Sequence, residues 1–354
     1  MTTGPIMLDI EGTELTPEDI ELLKHPDTGG VILFSRNFAD IEQLSFLTSQ
    51  IKKLNKTELI IGVDHEGGRI QRFKDEFTRL PPSRLLGELY EKDRRKAAQL
   101  AESTGWLMAA ELLAVGVDFS FAPVLDLDRG NSQVIGDRAF HHSADIVAEL
   151  AKHLIKGMRK AGMEGVGKHF PGHGWVKEDS HVAVPRDPRQ YEDMMLSDLI
   201  PFERLINAGI SAIMPAHVIY EKIDKYPAGF SKIWLTELLR NQMGFHGMIF
   251  SDDITMAGAE VLGSPMDRTS AALEAGCDMV LICNNRQAVY EVLDNVKFGP
   301  MPASRVRLMR MYGKTSNINM LELKRTENWK SISNQVSFLD KEPELDLGDD
   351  EYHA

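Results

Sequence analysis

The segment from residue 164 to residue 181 is rich in side chains that can transfer protons. It holds His169, His173 and His181, three of the eleven histidines in the chain, and Asp179 lies two positions before the last of them. Four glycines and one proline interrupt the segment, so one regular helix or strand over its whole length is not expected. A loop this dense in titratable groups is typical of a functional site, because placing it in a core would be costly.

Asp179 and His181 could act together as a general acid and base. In an extended segment, side chains two positions apart point to the same side, so the carboxylate could fix the tautomer of the imidazole and stabilise its protonated form. An unperturbed histidine titrates near about 6.5, which suits proton transfer near neutral pH. The same pair on a solvated loop often has no function, so the pattern alone does not decide.

The histidine spacing also raises the question of a metal site. His169 and His173 are four residues apart, as in zinc-binding helices, but Pro171 and Gly172 lie between them and would break such a helix. The sequence contains no His-Glu-x-x-His motif, and its two cysteines lack metal-binding spacings. We therefore expect neither a metal nor another cofactor.

Short apolar runs alternate with amphipathic stretches along nearly the whole chain. They predict eight buried strands, at residues 6–10, 30–34, 59–63, 119–125, 166–169, 210–214, 247–250 and 279–282, each followed by a helical segment. This alternation predicts an α/β protein built as a single (β/α)8 barrel. The doubly wound alternative would need a Gly-x-Gly-x-x-Gly turn after its first strand, which the sequence lacks.

Charged side chains follow five of the predicted strands, where a barrel places its catalytic groups. The third strand is followed by residues 64–72, and the fourth by Asp126 and Arg138. The fifth strand ends in Lys168 and His169. The sixth is followed by His217, and the seventh by Asp252 and Asp253. Each group has a plain structural interpretation as a helix cap or a surface ion pair. Their recurrence at five strand ends favours a site at one rim.

Composition and charge limit the partners and the compartment. A net charge of −13 disfavours broad binding to nucleic acid or to anionic membranes. No secretory signal and no apolar run of roughly 18–20 residues is found, so we expect a cytoplasmic monomer. Residues 1–335 are assigned to the barrel and residues 336–354, an acid-rich stretch, to a disordered tail.

Taken together, four motifs resemble glycoside hydrolase family 3, and most closely its single-domain branch, the bacterial cytoplasmic β-N-acetylglucosaminidases of peptidoglycan recycling. The motifs lie at residues 62–69 (Gly-Val-Asp-His-Glu-Gly-Gly-Arg), 121–126 (Phe-Ala-Pro-Val-Leu-Asp), 167–174 with 179–181 (Gly-Lys-His-Phe-Pro-Gly-His-Gly with Asp-Ser-His) and 250–253 (Phe-Ser-Asp-Asp). His65 stands where the family favours glutamine, a small departure beside an intact Asp64.

The resemblance implies a retaining glycosidase that removes terminal β-N-acetylglucosamine, in particular from 1,6-anhydro-muropeptides. It implies that Asp252 is the nucleophile and that His181 is the acid/base, oriented by Asp179. This differs from the usual pair of carboxylates. The residues that it implies for sugar binding are Asp64, Arg72, Arg138, Lys168 and His169.

Three alternatives remain open from the sequence. A phosphorylase would use the same covalent intermediate but would transfer the sugar to phosphate instead of water. A metal-dependent barrel hydrolase would use His169, His173, His181 and Asp252 as ligands. A catalytically silent sugar-binding barrel would lack the nucleophile or the dyad, and this chain has both.

Overall fold

A barrel of parallel strands forms the centre of the molecule. The computed structural model describes residues 4–132, 134–177, 184–299, 301–314 and 318–337, and within these ranges eight parallel strands form one sheet. The strands are β1 Ile6–Leu8, β2 Thr28–Leu33, β3 Ile60–Val63, β4 Phe119–Ser120, β5 Val166–Phe170, β6 Ala212–Pro215, β7 Met248–Asp253 and β8 Met279–Ile282. Their hydrogen-bonded order is β4-β3-β2-β1-β8-β7-β6-β5.

The ring is completed between β4 and β5 by the residues that follow β4. The N–H of Leu125 donates to the carbonyl of Lys168 at 2.6 Å, and the N–H of Val166 donates to the carbonyl of Ala122 at 2.7 Å. Regular strand geometry ends early here because Pro123 has no N–H to donate, so β4 is shorter than the predicted strand 119–125. The prediction of a (β/α)8 barrel is confirmed. The predicted limits 279–282 match β8, and the limits predicted for the other strands differ from those of the structure by a few residues.

Large aromatic side chains fill the barrel interior because small residues make room for them. The rings of Phe119, Phe121 and Phe250 pack with centroids 4.9 to 5.5 Å apart. Gly62 on β3 faces this cluster, and a Cβ there would lie 2.7 Å from the ring of Phe119. All three phenylalanines are fully buried, so the inside of the barrel is a packed core.

Helices surround the barrel. They are α1 Pro17–Lys24, α2 Ile41–Lys53, α3 Ser83–Lys92, α4 Arg94–Ala114, α5 Ala144–Ala161, α6 Tyr191–Met195, α7 Leu199–Asn207, α8 Ile233–Gln242, α9 Pro265–Ala275, α10 Arg286–Asn295, α11 Pro302–Met309, α12 Met320–Arg325 and α13 Glu327–Ser337. In the described ranges none of them is long and apolar enough to cross a membrane. The assigned tail overlaps the last two residues of α13, and residues 338–354 lie outside the described part of the chain.

Candidate active site

The turn after β3 forms one side of the candidate site. His65–Gly67 and Ile70–Gln71 pair as a short antiparallel hairpin. Gly67 and Gly68 have φ values of +109° and +55°, and a Cβ at Gly67 would lie 2.5 Å from the carbonyl oxygen of Pro81. Glycine is therefore required at this turn, which explains the Gly-Gly pair of the motif.

Lys168 on β5 points its ammonium group at two carboxylates from the β3 side. Its Nζ lies 2.7 Å from Asp64 Oδ1 and 2.7 Å from Glu66 Oε1. Burial by itself would lower the pKa of Lys168, but the two neighbouring carboxylates outweigh burial and raise it. The ammonium therefore stays charged at neutral pH and ties β5 to the end of β3.

Glu66 joins this cation to a second one. Arg138 donates to both carboxylate oxygens, from Nε and from Nη2, at 2.8 Å each. Burial would raise the pKa of Glu66, but Arg138 and Lys168 together hold it well below its usual range. The sequence suggested that Glu66 caps the following turn or pairs with Arg69 or Arg72 at the surface, and no pattern in the chain pairs it with cations from two distant segments.

Asp64 and Arg72 form the more open side of this group. The Nη2 atom of Arg72 lies 3.9 Å from Asp64 Oδ2, and their side chains are 30% and 22% exposed, whereas Glu66 is only 4% exposed. The guanidinium of Arg72 also lies over the ring of Phe34, 5.6 Å from its centroid. Asp64 and Arg72 can therefore reach a ligand at the rim, while Glu66 serves mainly to hold cations.

Asp126, after β4, organises the two described histidines of the 164–181 segment. Its Oδ2 lies 2.7 Å from His169 Nδ1, and its Oδ1 accepts from the N–H of His173 at 2.6 Å. Burial would raise the pKa of Asp126, but the two histidines outweigh burial and lower it. Asp126 was quoted in a motif but not predicted as a site residue. It determines which nitrogen of His169 faces the site.

His173 is neutral at physiological pH. Burial and, to a smaller extent, neighbouring His169 lower the pKa of its imidazole to about 4. The two rings are 5.9 Å apart. His173 therefore shapes the segment after β5 and does not carry a charge there, while the negative charge of Asp252 lies near enough to oppose the shift.

The two adjacent acids of β7 have different environments. Asp253 accepts from the N–H and hydroxyl of Thr255 at 3.0 and 2.7 Å and from the N–H of Cys283 at 3.1 Å. Burial and, to a smaller extent, the charge of Asp252 raise the pKa of Asp253 to about 7, against the hydrogen bonds from Thr255 and Cys283. Asp253 thus holds the turn that follows β7 and does not cap a helix, since the next helical segment, Ala257–Leu262, begins after Met256. Asp252 accepts from the Asp253 N–H at 2.9 Å.

Two further histidines at the rim pack against aromatic rings. His217 donates from Nε2 to the carbonyl of Asp253 at 2.9 Å and stacks on Phe230, with ring centroids 5.0 Å apart. His65 lies 5.9 Å from both Phe73 and Phe77. Burial, together with the charge of Arg72, lowers the pKa of His65 to about 3, so the ring is neutral at physiological pH.

Asp179 and His181 lie in residues 178–183, outside the described part of the chain. The predicted dyad therefore stays a prediction. Among the described residues, no group of three or more histidines, cysteines and acids is arranged to hold a metal ion. The metal-dependent alternative would need His181, so a chelation experiment must test it.

A parallel barrel whose carboxyl rim combines buried Lys–carboxylate and Arg–carboxylate pairs with an acid at the end of β7 is compatible with a glycoside hydrolase, and similarity to known proteins decides the class. The chain belongs to glycosyl hydrolase family 3: residues 7–311 match the N-terminal domain of that family. This confirms the resemblance, and the chain is accordingly a glycoside hydrolase of the single-domain bacterial type.

Curated relatives match almost the whole chain. A β-hexosaminidase of Thioalkalivibrio sulfidiphilus is 52% identical over 347 residues, covering 98% of this chain and 99% of the relative. A β-hexosaminidase of Methylobacillus flagellatus is 54% identical over 323 residues, covering 91% and 93%. The chain is thus similar over almost its full length to proteins that are both named β-hexosaminidases.

Solved structures give the same family. NagZ from Neisseria gonorrhoeae in complex with N-trifluoroacetyl-D-glucosamine is 44% identical, with a TM-score of 0.91 and coverage of 96% of this chain and 98% of that one. A family 3 β-N-acetylglucosaminidase from Paenibacillus is 27% identical, with a TM-score of 0.84 and coverage of 95% and 67%. The barrel is therefore shared with enzymes that differ in overall length.

Proposed function

We propose that this protein hydrolyses terminal, non-reducing β-N-acetylglucosamine residues with retention of configuration. Full-length similarity to β-hexosaminidases and to a NagZ that binds a glucosamine derivative supports the sugar. The observation that carries the proposal is the Asp64–Lys168–Glu66–Arg138 network, which presents fixed donors and acceptors at the carboxyl ends of the barrel strands, the same rim at which β7 ends in Asp252 and Asp253. Hydroxyl-rich ligands need such convergent polar groups.

In this proposal the sugar is bound by five side chains, those of Asp64, Arg72, Lys168, His169 and Arg138. Asp64 accepts from hydroxyl groups, while Arg72, from the segment after β3, and the ring of His169, at the end of β5, contact the same sugar ring. Arg138 already donates from three nitrogen atoms to Glu66 and Val134, which leaves two of its five N–H groups for a ligand. Its main contribution is to keep Glu66, and through it Lys168, in place.

Asp252 attacks the anomeric carbon, and the bond to the leaving oxygen breaks as His181 donates a proton to that oxygen. A water then attacks the glycosyl-enzyme, gives its proton to His181 and releases the Asp252 carboxylate. Two inversions give net retention. A histidine is neutral after it has given up its proton, so it adds no negative charge beside an anionic product. Asp179 orients the imidazole and stabilises its protonated form.

The natural substrate in this proposal is a 1,6-anhydro-muropeptide carrying terminal N-acetylglucosamine, hydrolysed in the cytoplasm by a monomer without metal. A chromogenic β-N-acetylglucosaminide should be cleaved far faster than the matching β-glucoside. Equal rates would contradict the sugar assignment. Full activity after chelation supports the metal-free mechanism, and formation of sugar 1-phosphate when phosphate is added would replace hydrolysis by the phosphorylase alternative.

Variants of the two proposed catalytic residues test the mechanism. Asp252→Ala should remove turnover, since no covalent intermediate can form. His181→Ala should slow glycosides with poor leaving groups much more than those with good ones, because only the former need a proton. Equal losses for both leaving-group classes would contradict His181 as the acid.

A further inference from the structure

Trp175 is a large aromatic side chain exposed at the carboxyl rim of the barrel. It is 40% exposed and lies two residues after His173, in the segment that follows β5. Single exposed apolar residues are common on protein surfaces and usually need no explanation. Trp175 differs from an ordinary surface side chain because both its ring and its backbone are held in place.

Two arginines hold the indole ring. The guanidinium of Arg189 lies 4.6 Å from the ring centroid, and that of Arg129 lies 5.9 Å away. Both arginines bind one oxygen of the buried Asp198, at 2.6 and 2.9 Å, and Arg189 also pairs with buried Asp187 at 2.7 Å. The cations that contact the ring are thus themselves fixed, and they come from the segments after β4 and after β5.

The backbone before Trp175 is held at three points. The N–H of His173 donates to Asp126, and the carbonyl of Gly172 accepts from the hydroxyl of Tyr220 at 2.9 Å. Gly174 lies so close to the segment that follows β4 that a Cβ there would be 1.9 Å from the carbonyl oxygen of Leu127. The position of Trp175 relative to the rim is therefore set by the barrel.

We propose that Trp175 is the stacking platform for the aglycone sugar, the ring on the leaving-group side of the cleaved bond. This rests on the proposed function, in which the leaving oxygen is protonated from the same segment after β5, so the aglycone lies over that segment. A pyranose presents an apolar face of C–H groups, and a fixed indole is a suitable surface for it. Trp175 then selects substrates whose aglycone is a sugar ring.

Trp175→Ala tests the platform with two substrates that share the N-acetylglucosamine group. β-N-acetylglucosaminyl fluoride has no aglycone ring, whereas the disaccharide N-acetylglucosaminyl-β-1,4-1,6-anhydro-N-acetylmuramic acid has one. We expect kcat/KM for the disaccharide to fall about tenfold or more, mostly through KM, and kcat/KM for the fluoride to stay within about twofold. Trp175→Phe, which keeps an aromatic face, should recover part of the loss.

Phe46→Ala is the matched control, because Phe46 is 63% exposed on the outward side of α2 and should affect neither substrate. If Trp175→Ala lowers both substrates equally, or neither, the platform is wrong. If Trp175→Phe is as poor as Trp175→Ala on the disaccharide, stacking is also wrong. Failure of the unmodified enzyme on the fluoride would instead overturn the proposed function.

Discussion

Lys168 and Arg138 come from β5 and from the loop before α5, and both donate to the buried carboxylate of Glu66. An isolated buried charge is costly, so each member of this trio depends on the other two. Glu66 does not need to touch the sugar to matter. It fixes the direction of the two cations that the proposed sugar site uses, and its effect should therefore appear in both stability and binding.

Glu66→Gln should lower the free energy of unfolding by about 3 kcal/mol or more, because it leaves two buried cations short of a negative charge. KM for a β-N-acetylglucosaminide should rise strongly. Denaturant unfolding and steady-state kinetics measure the two effects. Asp137→Asn, which breaks the half-exposed pair of Asp137 with Arg69, is the control and should change stability by less than about 1 kcal/mol.

The pH dependence of the Glu66 contribution has a definite sign. Its folded-state pKa lies below the unfolded value, so its stabilisation is present above about pH 4.3 and is lost as the pH falls toward the folded pKa. The stability difference between the unmodified protein and Glu66→Gln should therefore shrink between pH 6 and pH 3. A difference that stays constant over this range would show that Glu66 is not an ionised partner of the cations.

Asp253 should behave in the opposite way. Its folded-state pKa is raised to about 7, so its ionisation opposes folding and costs stability progressively as the pH rises from about 3.9 to 7. Asparagine can keep contacts with Thr255 and Cys283 without a charge. The stability of Asp253→Asn relative to the unmodified protein should thus increase from pH 4 to pH 7. A flat difference, as expected for the exposed control Asp75→Asn, would contradict this assignment.

At the scale of elements, α4 and α5 pack closely through two glycines. A Cβ at Gly105 would lie 2.0 Å from the carbonyl oxygen of Leu154, and one at Gly157 would lie 1.9 Å from that of Glu102. Alanine normally favours a helix over glycine by up to about 1 kcal/mol. Here the contact with the facing helix outweighs that preference, because a side chain would force the two helices apart.

Gly157→Ala should therefore lower the free energy of unfolding by about 1–3 kcal/mol, as overpacked sites do. Thermal or urea unfolding gives the value. Gly12→Ala, at a position with nothing within 4 Å of the added Cβ, is the matched control and should be nearly neutral. A Gly157→Ala variant with a higher free energy of unfolding would contradict this, because it would mean that α4 and α5 can move apart without loss of stability.

The sequence predicted the elements better than it predicted the polar network. The apolar runs placed all eight strands, because burial of alternating segments is a local property of the chain. The ends of the strands were predicted less accurately, because a strand ends where its hydrogen bonds to the neighbouring strand end. In β4 this happens early, since Pro123 has no N–H to donate. Glu66 and Asp126 were missed as site residues, because their importance comes from partners that are distant in sequence, Lys168, Arg138 and His169.

For the whole molecule, the last described helix closes the structure against α4. Val336 on α13 is fully buried, and the indole N–H of Trp329 donates to Glu111 Oε1 at 2.9 Å. These contacts make α13 part of the barrel domain, although the sequence boundary at residue 335 cut through its end. The acid-rich stretch beyond Ser337 lies outside the described part of the chain.

Two truncations separate the barrel from the acid-rich stretch. A chain ending after Ser337 should keep its melting temperature and its kcat/KM, because every contact between described residues remains in it. A chain ending after Thr326 loses α13, which exposes the surface of α4 under Val336. It also leaves the carboxylate of buried Glu111 without the indole N–H of Trp329 as a donor. Its melting temperature should therefore fall by several degrees. If the chain ending after Thr326 kept its melting temperature, α13 would not belong to the folding unit. If the longer chain lost activity while its melting temperature stayed the same, residues 338–354 would act at the site itself.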